Sequence, residues 1–405
     1  MYDAIVVGAR CGGAPTAMLL ARKGYKVLLV DKSTFPSDIP HGHYIHRSGP
    51  RRLARWGLLD RIRATDCPAV ESITIDAGDF PLVGTNLVVD GIATGYGPRR
   101  SVLDAVLLDA ALEAGVEWRQ GFHVDECLFD GDRVVGIRGR ALSGGPAIAE
   151  RATITIGADG KRSRIARAVQ APMYDTFPVL ACWYFGYWGD VTLSGLEIYA
   201  RPDAVVFAFP TNGRLAAIFV GWPIQELQRV RRDIERAFSS AIDAVPSLSA
   251  RVRSGRRASR YAGATDLDNF FRVPHGPGWA LVGDAGCHKD PFLALGICDA
   301  FRDVDLLVDA IDAGLSGRSA LGEALAEYER RRNDATRDDY WQNVNAARFL
   351  PMPEDQRRLR AALRGRERDT RQFFLAREEM IPRDSFFTAD NLRRLLSAGT
   401  AQLAV

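Results

Sequence analysis

The sequence predicts an α/β fold in which a doubly wound, Rossmann-type domain interleaves with an antiparallel-sheet domain, with helices at the C-terminal end. Three observations predict it. A strand, a glycine-rich turn, a helix and a second apolar strand occupy residues 2–31. Short aromatic and β-branched runs recur between residues 179 and 221. An apolar strand at 279–282 then returns to the pattern of the first domain, ahead of a helical, arginine-rich remainder.

The elements follow in order. Residues 2–7 read as a buried parallel strand, and 14–23 as a helix with Ala17, Leu20 and Ala21 on its apolar face, closed by Gly24. Residues 27–30 form a second strand ending at Asp31, which completes a β-α-β unit. A polar loop over 33–48 leads to a helix at 53–63, short strands at 73–75 and 87–89, a helix at 104–113, and strands at 116–119, 134–138 and 152–157. The second domain carries strands at 182–187, 195–199, 205–209 and 215–220, with Asn212-Gly213 as a hairpin turn. Helices are expected at 229–241 and 293–307. The division read from this pattern gives 1–72, 98–170 and 262–315 to the first domain, 73–97 and 171–261 to the second, and 316–405 to a C-terminal helical region.

Composition narrows the function classes. A net charge of +3 over 405 residues asks for no nucleic-acid footprint. The basic residues are almost all arginine, with lysine only at 23, 26, 32, 161 and 289. None of the six cysteines forms a C-x-x-C pair, so no metal site and no redox pair is expected. The N-terminus has no basic n-region, and no run of 18 uncharged apolar residues occurs. A cytoplasmic protein without a membrane span is therefore expected. Its oligomeric state stays open, a homodimer included.

The turn reads Gly8-Ala9-Arg10-Cys11-Gly12-Gly13. Against the dinucleotide pattern G-x-G-x-x-G, the first and third glycines stand at Gly8 and Gly13, and Arg10 replaces the second. That position normally lets the backbone approach a pyrophosphate; arginine adds a Cβ and a permanent cation there. The turn otherwise has the right context. It follows a strand and opens a helix whose N-terminal N–H groups attract phosphate. Asp31, with Lys32 beside it, stands where a carboxylate accepts hydrogen bonds from a ribose.

Two further motifs follow apolar strands: Ile156-Gly157-Ala158-Asp159-Gly160, and Leu281-Val282-Gly283-Asp284-Ala285-Gly286 with Pro291 and Gly296 downstream. Taken in this order, the three motifs resemble the FAD-dependent monooxygenases of the para-hydroxybenzoate hydroxylase type, in a superfamily shared with flavin-dependent halogenases and geranylgeranyl reductases. The resemblance covers residues 2–330. It implies that Gly283 and Asp284 hold the ribityl chain of FAD and that Pro291 lies near the reactive face of the flavin. It also implies that Gly296 offers a backbone N–H to the flavin O2 side, with Ala294 where the family has another glycine. Asp159 is implied to hold the cofactor region and to bear on nicotinamide use. Arg100, with Arg99 as the adjacent alternative, is similar to the family's arginine along the pyrophosphate. Arg47 with Gly49 resembles its arginine loop over the dinucleotide. Each of these arginines is otherwise a solvated surface residue.

The implied activity is insertion of one oxygen atom from O2 into a small aromatic or polyketide-like substrate of secondary metabolism, through a flavin C4a-hydroperoxide. NADPH or NADH would be a transient reductant, because no second glycine-rich fingerprint occurs. Trp183, Tyr184, Phe185, Tyr187, Tyr199, Phe207 and Phe209 are candidates to line the substrate pocket, and strand alternation makes about half of them packing residues. His43, His46 and His288 are candidate bases, and Lys289 a cation for reduced flavin. A halogenase needs a lysine relay and a W-x-W-x-I-P motif that Gly221-Trp222-Pro223-Ile224 only echoes. A reductase or dehydrogenase shares the fold. A flavin-binding protein without catalysis is the non-enzymatic alternative.

Overall fold

The computed structural model describes residues 1–37 and 41–400. The chain divides into two compact units. Unit 1 comprises residues 1–42, 99–179 and 267–344; unit 2 comprises 43–98, 180–266 and the chain from 345 onward.

Unit 1 is built on a mixed sheet. Its central strand, Tyr2–Val7, lies parallel to Val27–Asp31 on one side and to Ile148–Gly157 on the other. Glu117–Gln120 extends the parallel set beyond Val27–Asp31, and Trp279–Leu281 pairs parallel with Ile148–Gly157. The antiparallel strands Phe122–Asp130 and Arg133–Ala141 complete the sheet. Helix Gly13–Arg22 returns the chain from the first strand to the second. The two central strands are mostly apolar and buried, with Asp3 and Asp31 near their ends, as both faces of a parallel sheet are covered.

Unit 2 holds a second sheet in the order Arg256–Arg257, Ala181–Gly189, Leu215–Pro223, Val205–Thr211, Leu196–Ala200, Ile73–Asp76, Pro81–Gly84. Gly213, at φ +69°, turns the chain between Val205–Thr211 and Leu215–Pro223, where the Asn-Gly pair predicts a hairpin. Helices Ile234–Asp243 and Pro246–Ser254 pack Phe238 and Leu248 against one sheet face, made of Tyr184, Trp188, Tyr199, Val206, Ile218 and Trp222.

The unit boundaries differ from the expected ones: residues 171–179, expected in the second domain, fall in unit 1, residues 262–266, expected in the first, fall in unit 2, and two larger segments move as well. Residues 43–72, expected with the dinucleotide domain, fall in unit 2, where Ile45 bridges to Tyr96. The C-terminal helices do not form a region apart. Leu321–Ala346 packs in unit 1 up to residue 344, with the Tyr328 hydroxyl donating to the Leu281 carbonyl at 2.9 Å. Later residues belong to unit 2, where Arg360 donates to the carbonyls of Ile75 and Phe80. These attachments are tertiary, between residues hundreds of positions apart, and helical periodicity carries no trace of them.

Several elements differ locally. The helix expected at 53–63 is two short ones, Gly49–Arg55 and Leu59–Arg63, because Gly57 takes φ +75° between them. The helix expected at 229–241 breaks at Asp233, whose side chain caps Ile234–Asp243 by accepting from Arg236 N. The helix expected from residue 293 begins at Gly296, because Pro291–Leu293 is a 3₁₀ turn and Ala294 is left-handed. The strand Asn269–Arg272, which sequence reading missed, pairs with Met173–Phe177 and Cys287–His288. No helix among the described residues is long and apolar enough to cross a membrane.

Arg332 ties helix Leu321–Ala346 to that small sheet. It is fully buried, donating to Gly286 O at 3.2 Å, Arg272 O at 3.0 Å and the Tyr174 hydroxyl at 3.0 Å. Replacing it removes the buried donor that Arg272 O and the Tyr174 hydroxyl meet, and leaves Gly286 O with Arg272 N as its donor. Arg332→Ala is expected to cost about 3 kcal/mol of stability, read from urea denaturation.

Candidate functional site

The sheet register of unit 1 brings the three motifs together. Val7 pairs with Val30 and Gly157, and Gly157 with Leu281, so the parallel strands end level with one another. Gly8, Asp31, Gln120, Asp159 and Asp284 therefore follow strand ends at one edge, the place where open α/β sheets bind ligands. The glycines are sterically required. A Cβ on Gly8, at φ +101°, would lie 2.4 Å from Ala158 O, and one on Gly13 would lie 1.7 Å from Gly8 O. Asp31 braces the turn, its two oxygens accepting from Ala9 N at 2.8 Å and Ser33 N at 2.7 Å. Helix Gly13–Arg22 has no acidic residue in its first turn and no side-chain cap, so its positive end is left uncompensated.

Arg10 turns its guanidinium to Asp104, to Ser37 Oγ at 2.9 Å and over the Phe35 ring, 5.0 Å from the centroid. Arg100 grips the same carboxylate, with Nη2 at 2.9 and 3.1 Å from its two oxygens. Two guanidiniums thus share one fully buried carboxylate, a net positive cluster beside the glycine turn. Burial opposes the charge on Arg100, but the neighbouring acidic groups, Asp104 among them, outweigh it and raise its pKa. His41, which sequence reading passed over, lies within the electrostatic reach of Arg100, Asp284, Arg10 and Asp104. Desolvation, then the field of Arg100, lowers its imidazole to about 4, against a smaller opposing pull from Asp284. A cavity of about 660 Å³ adjoins, lined by Arg10, Lys32, Ser33, Ser37, Gln120 and Gly121.

At the third motif, Gly283 takes φ +63° and the Asp284 carboxylate accepts no hydrogen bond among the described residues. Asp159 accepts from Arg164 N at 2.6 Å, while its other oxygen is buried without a partner, and burial raises its pKa. Pro291 opens the 3₁₀ turn, and Gly296 is the first residue of a 20-residue helix. His288 and Lys289 do not stand as expected. His288 Nδ1 lies against Asp268 O at 2.5 Å, with its ring stacked on Phe270. The Lys289 ammonium lies 2.5 Å from Asp299, which also pairs with Arg302. The free cation expected at Lys289 is thus neutralised by a carboxylate four residues into the helix on its far side, a pairing the linear sequence does not announce.

Arg47, His43 and His46 belong to unit 2, and the rest of the expected set belongs to unit 1. Arg47 is buried at φ +50° and pairs with Glu379 at 3.3 Å. His46 Nδ1 lies 2.7 Å from the buried Glu378 carboxylate, so the ring is held by that contact within unit 2. Burial opposes the charge on Glu378, but His46 and then Arg377 and Arg47 outweigh it and bring its pKa from 4.5 to about 2. His43 is fully buried. Its Nδ1 faces the Gly97 carbonyl at 3.1 Å, which can only accept, so Nδ1 carries the proton. Nε2 then accepts from the Tyr187 hydroxyl at 3.1 Å. Around this pair stand Phe185, Phe209 and Phe219, with centroids 5.2–6.5 Å from the imidazole. Alternation divides the seven candidate lining residues. Tyr184 and Tyr199 pack under the helices, whereas Trp183, Phe185, Tyr187, Phe207 and Phe209 lie on the other face, with Phe207 half-buried.

Comparison with known proteins fits this geometry. A family model described as the FAD binding domain matches residues 1–340. The chain belongs to that family. It is 25% identical over 344 residues to a tryptophan 2-halogenase of Chondromyces crocatus, a match covering 80% of this chain but 64% of that protein, so the chain spans under two thirds of it. It is 26% identical over 340 residues to digeranylgeranylglycerophospholipid reductase 1 of Methanococcoides burtonii, covering 80% of this chain and 76% of the relative. Among solved structures, the myxobacterial chondrochloren halogenase CndH shares the fold at TM-score 0.78 and 21% identity, covering 99% of this chain and 97% of that one. PqsL of Pseudomonas aeruginosa, described as a probable FAD-dependent monooxygenase, does so at 0.71 and 20%, covering 91% and 98%.

For an FAD binding domain, the residues present fit the cofactor. The cationic Arg10–Asp104–Arg100 cluster and the uncompensated helix end suit a pyrophosphate. The uncommitted Asp284 carboxylate suits a polyol hydroxyl, and the cavity beside Lys32 and Gln120 suits an adenosine.

Two outcomes follow from this geometry. Ala294 holds a left-handed backbone, φ +54°, a conformation that glycine adopts without a Cβ penalty. Ala294→Gly is expected to raise stability by about 1 kcal/mol, read from thermal unfolding. Glu378 is depressed in the folded state, so its contribution is full above about pH 4.5 and is lost as pH falls toward 2. The stability advantage of wild type over Glu378→Gln is therefore expected to shrink steadily across that interval in denaturant titrations at stepped pH.

Proposed function

We propose that this FAD-dependent oxidoreductase is a monooxygenase that hydroxylates a small aromatic or polyketide-like substrate, with NADH or NADPH as a transient reductant. The observation that carries this reading is the aromatic face of unit 2. It fixes one polar pair, Tyr187 and His43, among the rings of Phe185, Phe209 and Phe219. The face favours a flat, partly polar substrate over a plain isoprenoid chain. Unit 2 contains no lysine at any position, which speaks against a halogenase relay on this face.

The bound flavin would supply reduction and oxygen activation. The protein's own part is binding, exclusion of water and proton handling. A phenolic O–H can pass its proton to the Tyr187 oxygen as Tyr187 passes its own to His43 Nε2. The resulting imidazolium keeps its Nδ1–H on the Gly97 carbonyl. His43 so acts through Tyr187.

The test is anaerobic mixing of the FAD-loaded protein with NADH or NADPH, then ¹⁸O2 and a panel of phenols and aromatic polyketides. Bleaching of the flavin bands followed by one ¹⁸O atom in product per nicotinamide oxidised is the expected outcome. Oxygen-independent saturation of an isoprenoid double bond would replace this reading with a reductase. A product that forms only with chloride or bromide would replace it with a halogenase. Bound FAD that no nicotinamide reduces, with no product formed, would favour a binding protein.

A further inference from the structure

The turn from Asp290 to Gly296 carries the two residues, Pro291 and Gly296, that would face the flavin ring, and what holds it in shape lies elsewhere in the chain. Within the turn, Ala294 N donates to Pro291 O at 2.8 Å, and Phe292 N to Asp290 Oδ1 at 3.0 Å. Two buried carboxamides brace it from outside. Asn269 Oδ1 accepts from Asp290 N at 2.8 Å. Asn343, on the helix Leu321–Ala346, spans the turn. Its Oδ1 accepts from Leu293 N at 2.9 Å and its Nδ2 donates to Asp290 O at 2.9 Å. Asn343 is 1% exposed and Asn269 0%. A carboxamide that donates and accepts on the two sides of one turn sets the spacing between them, and out of water it does so stiffly. Beyond the turn, the N–H groups of Leu295, Gly296 and Ile297 meet no acceptor among the described residues, as the first N–H groups of a helix do.

We propose that Asn343 is a positioning residue for the flavin. By clamping Asp290 and Leu293 it fixes the direction in which the N–H groups of Leu295 and Gly296 point, and with it how far the protein favours the reduced, anionic ring over the oxidised one. This rests on FAD lying against the turn. Asn343 sits about 50 residues beyond the last cofactor motif, on a helix with no glycine-rich motif of its own.

The measurement is the midpoint potential and dissociation constant of FAD in wild type, Asn343→Leu, Asn343→Asp and Tyr340→Phe. Tyr340 is a buried residue on the same helix that donates to Asp175 O, outside the turn, so it reports a merely structural loss. Asn343→Leu, which keeps the number and branching of the side-chain heavy atoms and removes both hydrogen bonds, is expected to bind FAD and to lose tenfold in preference for the reduced form. For a two-electron couple that is about 29.6 mV. Asn343→Asp keeps the acceptor for Leu293 but sets an oxygen against Asp290 O. Its potential should fall below wild type at pH 8 and return towards it as the carboxyl protonates and regains a donor. Variants with bound FAD and wild-type potentials, destabilised no differently from Tyr340→Phe, would overturn the proposal, as would an Asn343→Asp offset that ignores pH. If Asn343→Leu does not fold, the Asn343→Asp series decides alone. A wild-type chain that takes up no FAD would overturn the reading beneath it, an outcome distinct from variants that bind like wild type.

Discussion

The backbone of Gly8 runs so close to Ala158 that a Cβ there would reach its carbonyl oxygen, and the arrangement of the unit 1 site follows from that approach. Gly8 N donates to Val30 O at 2.8 Å and Ala158 N donates to Val7 O at 2.8 Å. The first strand is therefore hydrogen-bonded to both neighbours at the residue where the chain must turn. Only a glycine can leave such a strand without collision, and a second, Gly13, lets the helix begin directly beneath the turn. Once those two are placed, Asp31, Asp159 and Asp284 arrive at the same edge by register alone.

Charge completes what register begins. One buried carboxylate, Asp104, holds Arg10 and Arg100. A lone buried guanidinium would be costly, and a one-to-one pair would leave little field for an anion. Two guanidiniums on one carboxylate keep both arginines ordered and leave net positive charge beside the open helix end. The substitution of Arg10 for the usual middle glycine reads naturally in this light. Its side chain is a strut to Asp104 and Phe35, and its backbone carbonyl still accepts from Ala14 N. Elsewhere the Asp299 carboxylate is shared by Lys289 and Arg302, and Glu378 takes His46 Nδ1, contacts that serve packing within each unit.

Much of this was legible in the sequence because it is local. The β-α-β unit, the acid at its end, the Asn-Gly hairpin and the four long strands of unit 2 each carry their period and their turn residues within a dozen positions. The aromatic runs announced a sheet, and alternation announced that only part of them would face the same way. It could not say which part. That Tyr184 and Tyr199 lie under the helices while Phe185 and Tyr187 do not depends on which face Phe238 and Leu248 cover. His41 was passed over because nothing adjacent in sequence marks a histidine that ends up in the field of Arg10, Arg100, Asp104 and Asp284.

By itself the sequence determined the fold class, the glycine turn and the identity of the residues at the strand ends, since these rest on steric and hydrogen-bonding demands between neighbours. Tertiary structure alone decided the partners: Asp104 for Arg10, Glu378 for His46, Asp299 for Lys289, Tyr187 for His43 and Asn343 for the turn after Asp290. Most of these pairs are separated by tens to hundreds of residues, and the energy of each comes from excluding water around a polar contact. Burial of that kind is a property of the assembled chain, so no window of sequence holds the information that selects them.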